Sequence, residues 1–261
     1  MLGSDAAALF AVAPLAVVAA VLVARRQVAG AVLATGVGVF ALYTHAQVIV
    51  GQEYLRLPGN VERFFPLLLA VFLLAEATLV LGWRAVPADL PAPPRRVERV
   101  AGGVLVAVAV LLVFGLHLRP MLVAWSDAAS LTEYASSPTP FWLVKLMDLG
   151  IVVPVATVTG IGLLRRAAWA RRFAYPLLTA CTLLGVSVTA MGVVMNLRSD
   201  PDASLVLTAG FAAFTVAFAA LTAALYRPLF GPAGTCQAQQ VRPGGNGLEA
   251  GDRSADRAQS R

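Results

Sequence analysis

Seven apolar stretches, each long enough to cross a lipid bilayer, dominate this chain: residues 6–24, 28–50, 64–83, 100–118, 141–164, 173–195 and 203–226. About 20 mostly apolar residues carry a helix across the hydrocarbon core. In that core every backbone polar group has to be satisfied within the protein, which an α-helix does by itself. The expected fold is therefore all-α, an integral membrane bundle of seven transmembrane helices over residues 1–227. Residues 228–261 are rich in Gly, Gln, Ser and Arg and are expected to form a disordered cytoplasmic tail.

Composition narrows the function classes. The chain is 59% hydrophobic and 13% charged, against about 45–50% and about 25% for an ordinary soluble domain. A soluble single-domain enzyme is excluded. The net charge of +6 does not point to nucleic acid, because the arginines sit at the ends of apolar runs and not in a patch interleaved with aromatics. Lys145 is the only lysine among twenty basic residues, and Ala, Val, Gly and Leu dominate, as expected of a GC-rich bacterial genome. Cys181 lies in an apolar run and Cys236 in the tail, so no disulfide framework exists.

The arginines also predict topology. Ten of them, Arg25, Arg26, Arg84, Arg95, Arg96, Arg99, Arg165, Arg166, Arg171 and Arg172, follow spans 1, 3 and 5. The alternate loops carry four, Arg56, Arg63, Arg119 and Arg198, together with several acids. By the positive-inside rule the N-terminus is outside and the C-terminus inside, in a bacterial plasma membrane. No Lys or Arg precedes the first apolar run, where Asp5 is the only charge, so an uncleaved first span is expected. The proline-rich residues 87–94 form a stiff cytoplasmic connector. Residues 119–140 are expected as the longest external loop. In it Met121, Leu122, Trp125 and Ala129, opposed by Asp127, Ser130 and Glu133, suit a short amphipathic helix on the outer surface. No internal repeat stands out.

Ionisable residues within spans are energetically expensive and are the candidates for function. They are His45, Glu76, His117, Lys145 and Asp148, with Asn196 closing span 6. At 1.5 Å rise per residue, His45 and His117 fall at similar depth beyond Arg26 and Arg99, in the outer half. Lys145, Asp148 and Asn196 fall there too, and Glu76 lies nearer the middle. Lys145 and Asp148, three residues apart, share a helix face and are expected to pair. Pro154 removes the hydrogen bond to the Gly150 carbonyl and predicts a kink beside Asp148. This group either lines a pathway for a solute or ion, or is a neutralised pair that fixes helix packing. Glu76, with Phe72, Val80 and Trp83 around its face, is either a proton carrier or a single buried hydrogen bond. Thr182, Gly185, Thr189, Gly192 and Asn196 form a stripe in span 6, matched by Ser204, Thr208, Thr215 and Thr222 in span 7. Small and hydroxylated stripes pack helices closely, and they equally line polar cavities.

Two histidines at matched depth on different helices also meet the minimum requirement for a b-type haem with His45 and His117 as ligands. Other chemistry fails on its residues. No H-E-x-x-H zinc site, P-loop or Cys-x-x-Cys occurs. Residues 185–188 (GVSV) resemble the start of a rhomboid-type serine motif, but the following Gly and a downstream His are missing. A retinal Schiff base needs a lysine in the last span, and Lys145 is in the fifth.

Residues 145–170 read K-L-M-D-L-G-I-V-V-P followed by a stretch ending G-I-G-L-L-R-R-A-A-W-A. A D-L-G-x-x-x-P span with this ending resembles a group of uncharacterised bacterial multi-pass membrane proteins. The stretch from Tyr43 to Phe72, with Gly51 and the turn at 60–65, is similar to another part of that pattern. The resemblance implies that Asp148, Gly150 and Pro154 matter, and it carries no activity. The sequence thus predicts a membrane protein that binds or transports a small solute through an outward-facing polar cavity. The alternatives are a non-catalytic scaffold or sensor, contacting a membrane protein or a second copy of itself, and a bis-His haem b electron carrier.

Overall fold

The computed structural model describes residues 2–51, 61–200 and 203–230. Among them there is no strand, and seven helices are long and apolar enough to cross a membrane: α1 (Leu2–Ala24), α2 (Val28–Val50), α3 (Val61–Ala85), α4 (Arg95–Ser126), α5 (Pro138–Leu164), α6 (Ala168–Leu197) and α7 (Leu205–Phe230). The chain is a multi-pass helical membrane protein. Each helix starts and ends close to the expected span, usually with an extra turn of polar or aromatic residues. The expected tail lies outside the described residues from 231 onward, as does Cys236.

One expectation needs correction. Residues 119–140 are not a loop carrying one surface helix. Instead α4 runs on through Pro120 to Ser126, and the rest is a 3-10 turn at Ala128–Ser130 and a short helix at Thr132–Ser136. Of the proposed amphipathic set, Met121, Leu122 and Trp125 therefore belong to the end of a spanning helix.

Proline explains the irregularities in three of the helices. A π-helical segment, with its wider i→i+5 turn, interrupts α1 at Ala8–Val12, α4 at Leu111–His117 and α5 at Asp148–Val152. Each lies just ahead of a proline: Pro14, Pro120 and Pro154. A proline donates no hydrogen bond and its ring pushes on the carbonyl four residues earlier, here that of Phe10, Leu116 or Gly150. Widening the preceding turn lets neighbouring N–H groups reach other carbonyls, as Val153 N–H does with Asp148 O. Water cannot make up for a lost bond inside a bilayer. Ahead of Pro154 the helix forms a π turn at Asp148–Val152.

α6 is the hub, packing against α1, α2, α5 and α7, while α3 rests on α2 and α4 on α5. Close approach depends on missing side chains. At the α4–α5 crossing, a Cβ on Gly102 would lie 2.8 Å from the Gly160 carbonyl oxygen, and a Cβ on Gly160 would lie 2.8 Å from that of Gly102. The α6 and α7 stripes face each other. Thr182 and Thr222 hydroxyls share a hydrogen bond of 3.0 Å, Thr189 and Thr215 one of 3.1 Å, and Asn196 Nδ2 donates to Thr208 Oγ1 at 3.0 Å. Of the two uses open to these stripes, packing is the one realised.

The ends of the bundle differ. At the arginine-rich end, Arg172 Nη2 donates to the Trp83 and Val86 carbonyls, both at 2.9 Å, capping the C-terminus of α3. Arg171 pairs with buried Glu98 at the start of α4, and the Tyr175 hydroxyl donates to the Pro91 carbonyl at 3.1 Å. The proline connector is thereby pinned across that end. Trp83 and Trp169 gather there, and Trp125 and Trp142 at the other end, as interfacial aromatics do.

Adjacent glycines give a test of the α4–α5 contact. Gly103 has nothing within 4 Å of where its Cβ would be. Gly103→Ala should raise stability by about 0.5–1 kcal/mol through helix propensity. Gly102→Ala, one residue earlier, should lower it by about 1–3 kcal/mol through overpacking against backbone. Thermal midpoints in detergent should therefore move in opposite directions.

Candidate functional site

Three helices bring polar side chains together in the half of the bundle away from the arginine-rich end. Asp148 stands at the start of the π turn of α5 and His117 at the end of the π turn of α4. His117 Nε2 lies 2.8 Å from Asp148 Oδ2, with side-chain exposures of 6% and 16%. The other carboxylate oxygen, Oδ1, accepts from the Tyr43 hydroxyl of α2 in a short hydrogen bond. Both oxygens of one carboxylate are thus engaged from two other spans. A buried carboxylate is tolerated only with such partners.

Lys145 and Asp148, expected as partners, form no ion pair: both Asp148 oxygens are taken by His117 and Tyr43, and Lys145 turns to Glu133. Lys145 is buried, with its Nζ 3.7 Å from Glu133 Oε1 on the short helix after α4 and 3.3 Å from the centroid of the Phe141 ring. Glu133 is 65% exposed, so this pair reaches the surface. Lys145 also borders a surface groove of about 660 Å³ lined by Val50, Met121, Thr139, Trp142 and Gly150.

The remaining candidates lie elsewhere. His45 turns its Nδ1 to the Ala41 carbonyl of its own helix at 2.9 Å. Asn196 is held by the Gly192 carbonyl and Thr208 in the α6–α7 ladder. Glu76 is exposed on the outer surface of α3, away from the Asp148 cluster. Gly150 faces outward beside the groove, and its carbonyl is the one Pro154 leaves without the normal donor. Among the described residues no group of three or more His, Cys, Asp or Glu side chains is placed to hold a metal ion.

Sequence reasoning missed Tyr43 and the role of Glu133. Tyr43 carried a signal, since membrane tyrosines favour the interfaces and this one lies seven residues inside the end of α2. Glu133 carried none, being one acid among several in a connecting segment.

Comparison with known proteins adds no relative: no family model, no curated protein and no solved structure matches this chain.

The pairing of Asp148 is testable by double-mutant cycles. Tyr43→Phe should cost about 0.5–1.5 kcal/mol, and Asp148→Ala about 1–3 kcal/mol through the donors it strands. The Tyr43–Asp148 coupling should fall at about 0.5–3 kcal/mol, well above that for Lys145→Met with Asp148→Ala.

Proposed function

We propose that this protein is a membrane carrier that binds a small solute or ion and couples its passage to protonation of the Tyr43–Asp148–His117 site. The observation that carries the reading is the Asp148 carboxylate, held inside the membrane domain by donors from α2 and α4 rather than by a fixed cation. Here the partners are an imidazole and a phenol, and the imidazole is the side chain whose charge changes most readily near neutral pH. Intramembrane Asp–His arrangements of this kind suit proton relay.

Two further features support it. The π turns at both ends of the His117–Asp148 bond are sites where a helix changes shape at little cost, and such turns recur at functional positions. The bundle is also asymmetric, stitched together at the arginine-rich end by Arg171, Arg172 and Tyr175 and grooved at the other end. The groove borders Lys145, Leu149 and Gly150, the neighbours of Asp148 in α5. The plasma membrane, with the arginine-rich end facing the cytoplasm, is the setting that the charge asymmetry favours.

Proteoliposomes with an internal pH dye test the reading. Gradients of amino acids, sugars, carboxylates and inorganic ions are imposed in turn, and luminal pH is followed. At least one gradient should shift luminal pH, and Asp148→Asn should remove that shift while keeping a thermal midpoint close to that of the unchanged protein. A shift that persists in Asp148→Asn overturns the assignment. So does an Asp148 carboxyl whose infrared stretch never moves in heavy water, since a group that exchanges no proton is a structural clasp. A haem b on His45 and His117 would use the same imidazole and would require His117 to give up Asp148 or to ligate through Nδ1. A reduced-minus-oxidised spectrum with an α-band lost in His45→Ala would establish that alternative.

A further inference from the structure

α3 and α5 both flank α2 and pack little on each other, which leaves a cavity of about 280 Å³ between them, floored by α2 and α6. The side chains that bound it are almost all apolar, among them Val39, Leu79, Val155, Leu177 and Ala180. Tyr43 closes its deep end, and Trp83 and Phe173 stand at the end nearest the arginine-rich face. This position, along the inner length of α3 and α5, is at hydrocarbon depth.

The shape and chemistry limit the occupant. An apolar void offers water no hydrogen bonds. A helix, about 10–12 Å across with side chains, does not fit a space this size. An extended hydrocarbon chain does. On the arginine-rich side, exposed Arg84 follows the lining Trp83 by one residue, the Arg172 guanidinium lies 4.2 Å from the centroid of the Trp83 ring, and exposed Arg165 and Arg166 come directly after α5, beyond its lining Val155. Glu98, the buried acid of that end, is already taken by Arg171. A molecule with an apolar chain in the cavity therefore meets positive charge where its headgroup emerges.

We infer that the cavity is a binding site for one acyl chain of an anionic phospholipid, whose phosphate lies against the arginines that end α3 and α5. The inference does not depend on the proton-carrier reading: the two meet only at Tyr43, which closes the deep end of the cavity, and neither the chain nor the headgroup needs the Tyr43 hydroxyl. Its two parts, chain and headgroup, make separate demands. The chain needs the space beside Ala180 and Val155, and the headgroup needs Arg84, Arg165 and Arg166.

Trp83 borders the cavity and serves as the reporter. In a variant with Trp125, Trp142 and Trp169 replaced by Phe, it is the only tryptophan. The protein is reconstituted in phosphatidylcholine vesicles containing small fractions of phosphatidylglycerol or phosphatidylcholine with brominated chains, which quench tryptophan on contact. Brominated phosphatidylglycerol should reach half-quenching at about one tenth of the mole fraction that brominated phosphatidylcholine needs. Ala180→Phe, which fills the cavity, should abolish that advantage, and Val155→Phe does the same from the opposite wall if the first variant fails to fold. Replacing Arg84, Arg165 and Arg166 together by Gln should also reduce it to the phosphatidylcholine level. Equal quenching by the two headgroups means ordinary boundary lipid and overturns the inference. An advantage that survives either filling the cavity or removing the arginines overturns it as well.

Discussion

Backbone hydrogen bonding without water governs this molecule more than any single side chain does. Each proline placed within a span leaves a carbonyl that the bilayer cannot satisfy. At Pro14, Pro120 and Pro154 the helix responds by widening the turn ahead of the proline and continuing. Two of those turns hold the residues that meet at the candidate site. The His117–Asp148 contact is therefore a product of how α4 and α5 absorb their prolines, and the Tyr43 hydroxyl completes it from α2.

Packing serves the same end by other means. Gly102 and Gly160 let two backbones touch, and the Thr–Thr and Asn–Thr bonds fasten α6 to α7. In hydrocarbon, apolar side chains gain little by leaving lipid for protein, so close contact and interhelical hydrogen bonds supply most of the association. Three tight connections follow one pattern. Arg26, Arg166 and Ser199 each adopt a left-handed backbone with φ of 57°, 59° and 53°, closing the turns after α1, α5 and α6 without glycine.

The spans were legible because length and continuity of apolar residues are read directly from sequence. Asp148, His117 and Lys145 were legible as candidates because charge inside a span is rare. Their partners were not. The Lys145–Asp148 pairing weighed only residues of one helix, whereas α2, α4 and the segment after α4 supply Tyr43, His117 and Glu133 as partners. Glu76 gave no clue to its direction, since α3 is apolar almost all round and no face stands out as internal. The end of α4 was misplaced because the apolar run stops at Arg119, whereas the helix continues through Pro120 to Ser126 behind the widened turn. Tyr43 was overlooked because a phenol is not ionised at neutral pH, although its depth in α2 set it apart.

The crossing of α4 and α5 makes the pair a lever. Their backbones touch at Gly102 and Gly160, near the arginine-rich end, and the chain joining them runs through residues 127–137 at the other end. Asp148 lies 12 residues from Gly160, a lever arm of roughly 18 Å. A rotation of about 5° at the glycine fulcrum carries the carboxylate through roughly 1.6 Å at the end of that arm. That displacement is enough to take a 2.8 Å contact with His117 beyond hydrogen-bonding range. The long arm turns a movement too small to disturb the glycine contact into a full make-or-break at the carboxylate.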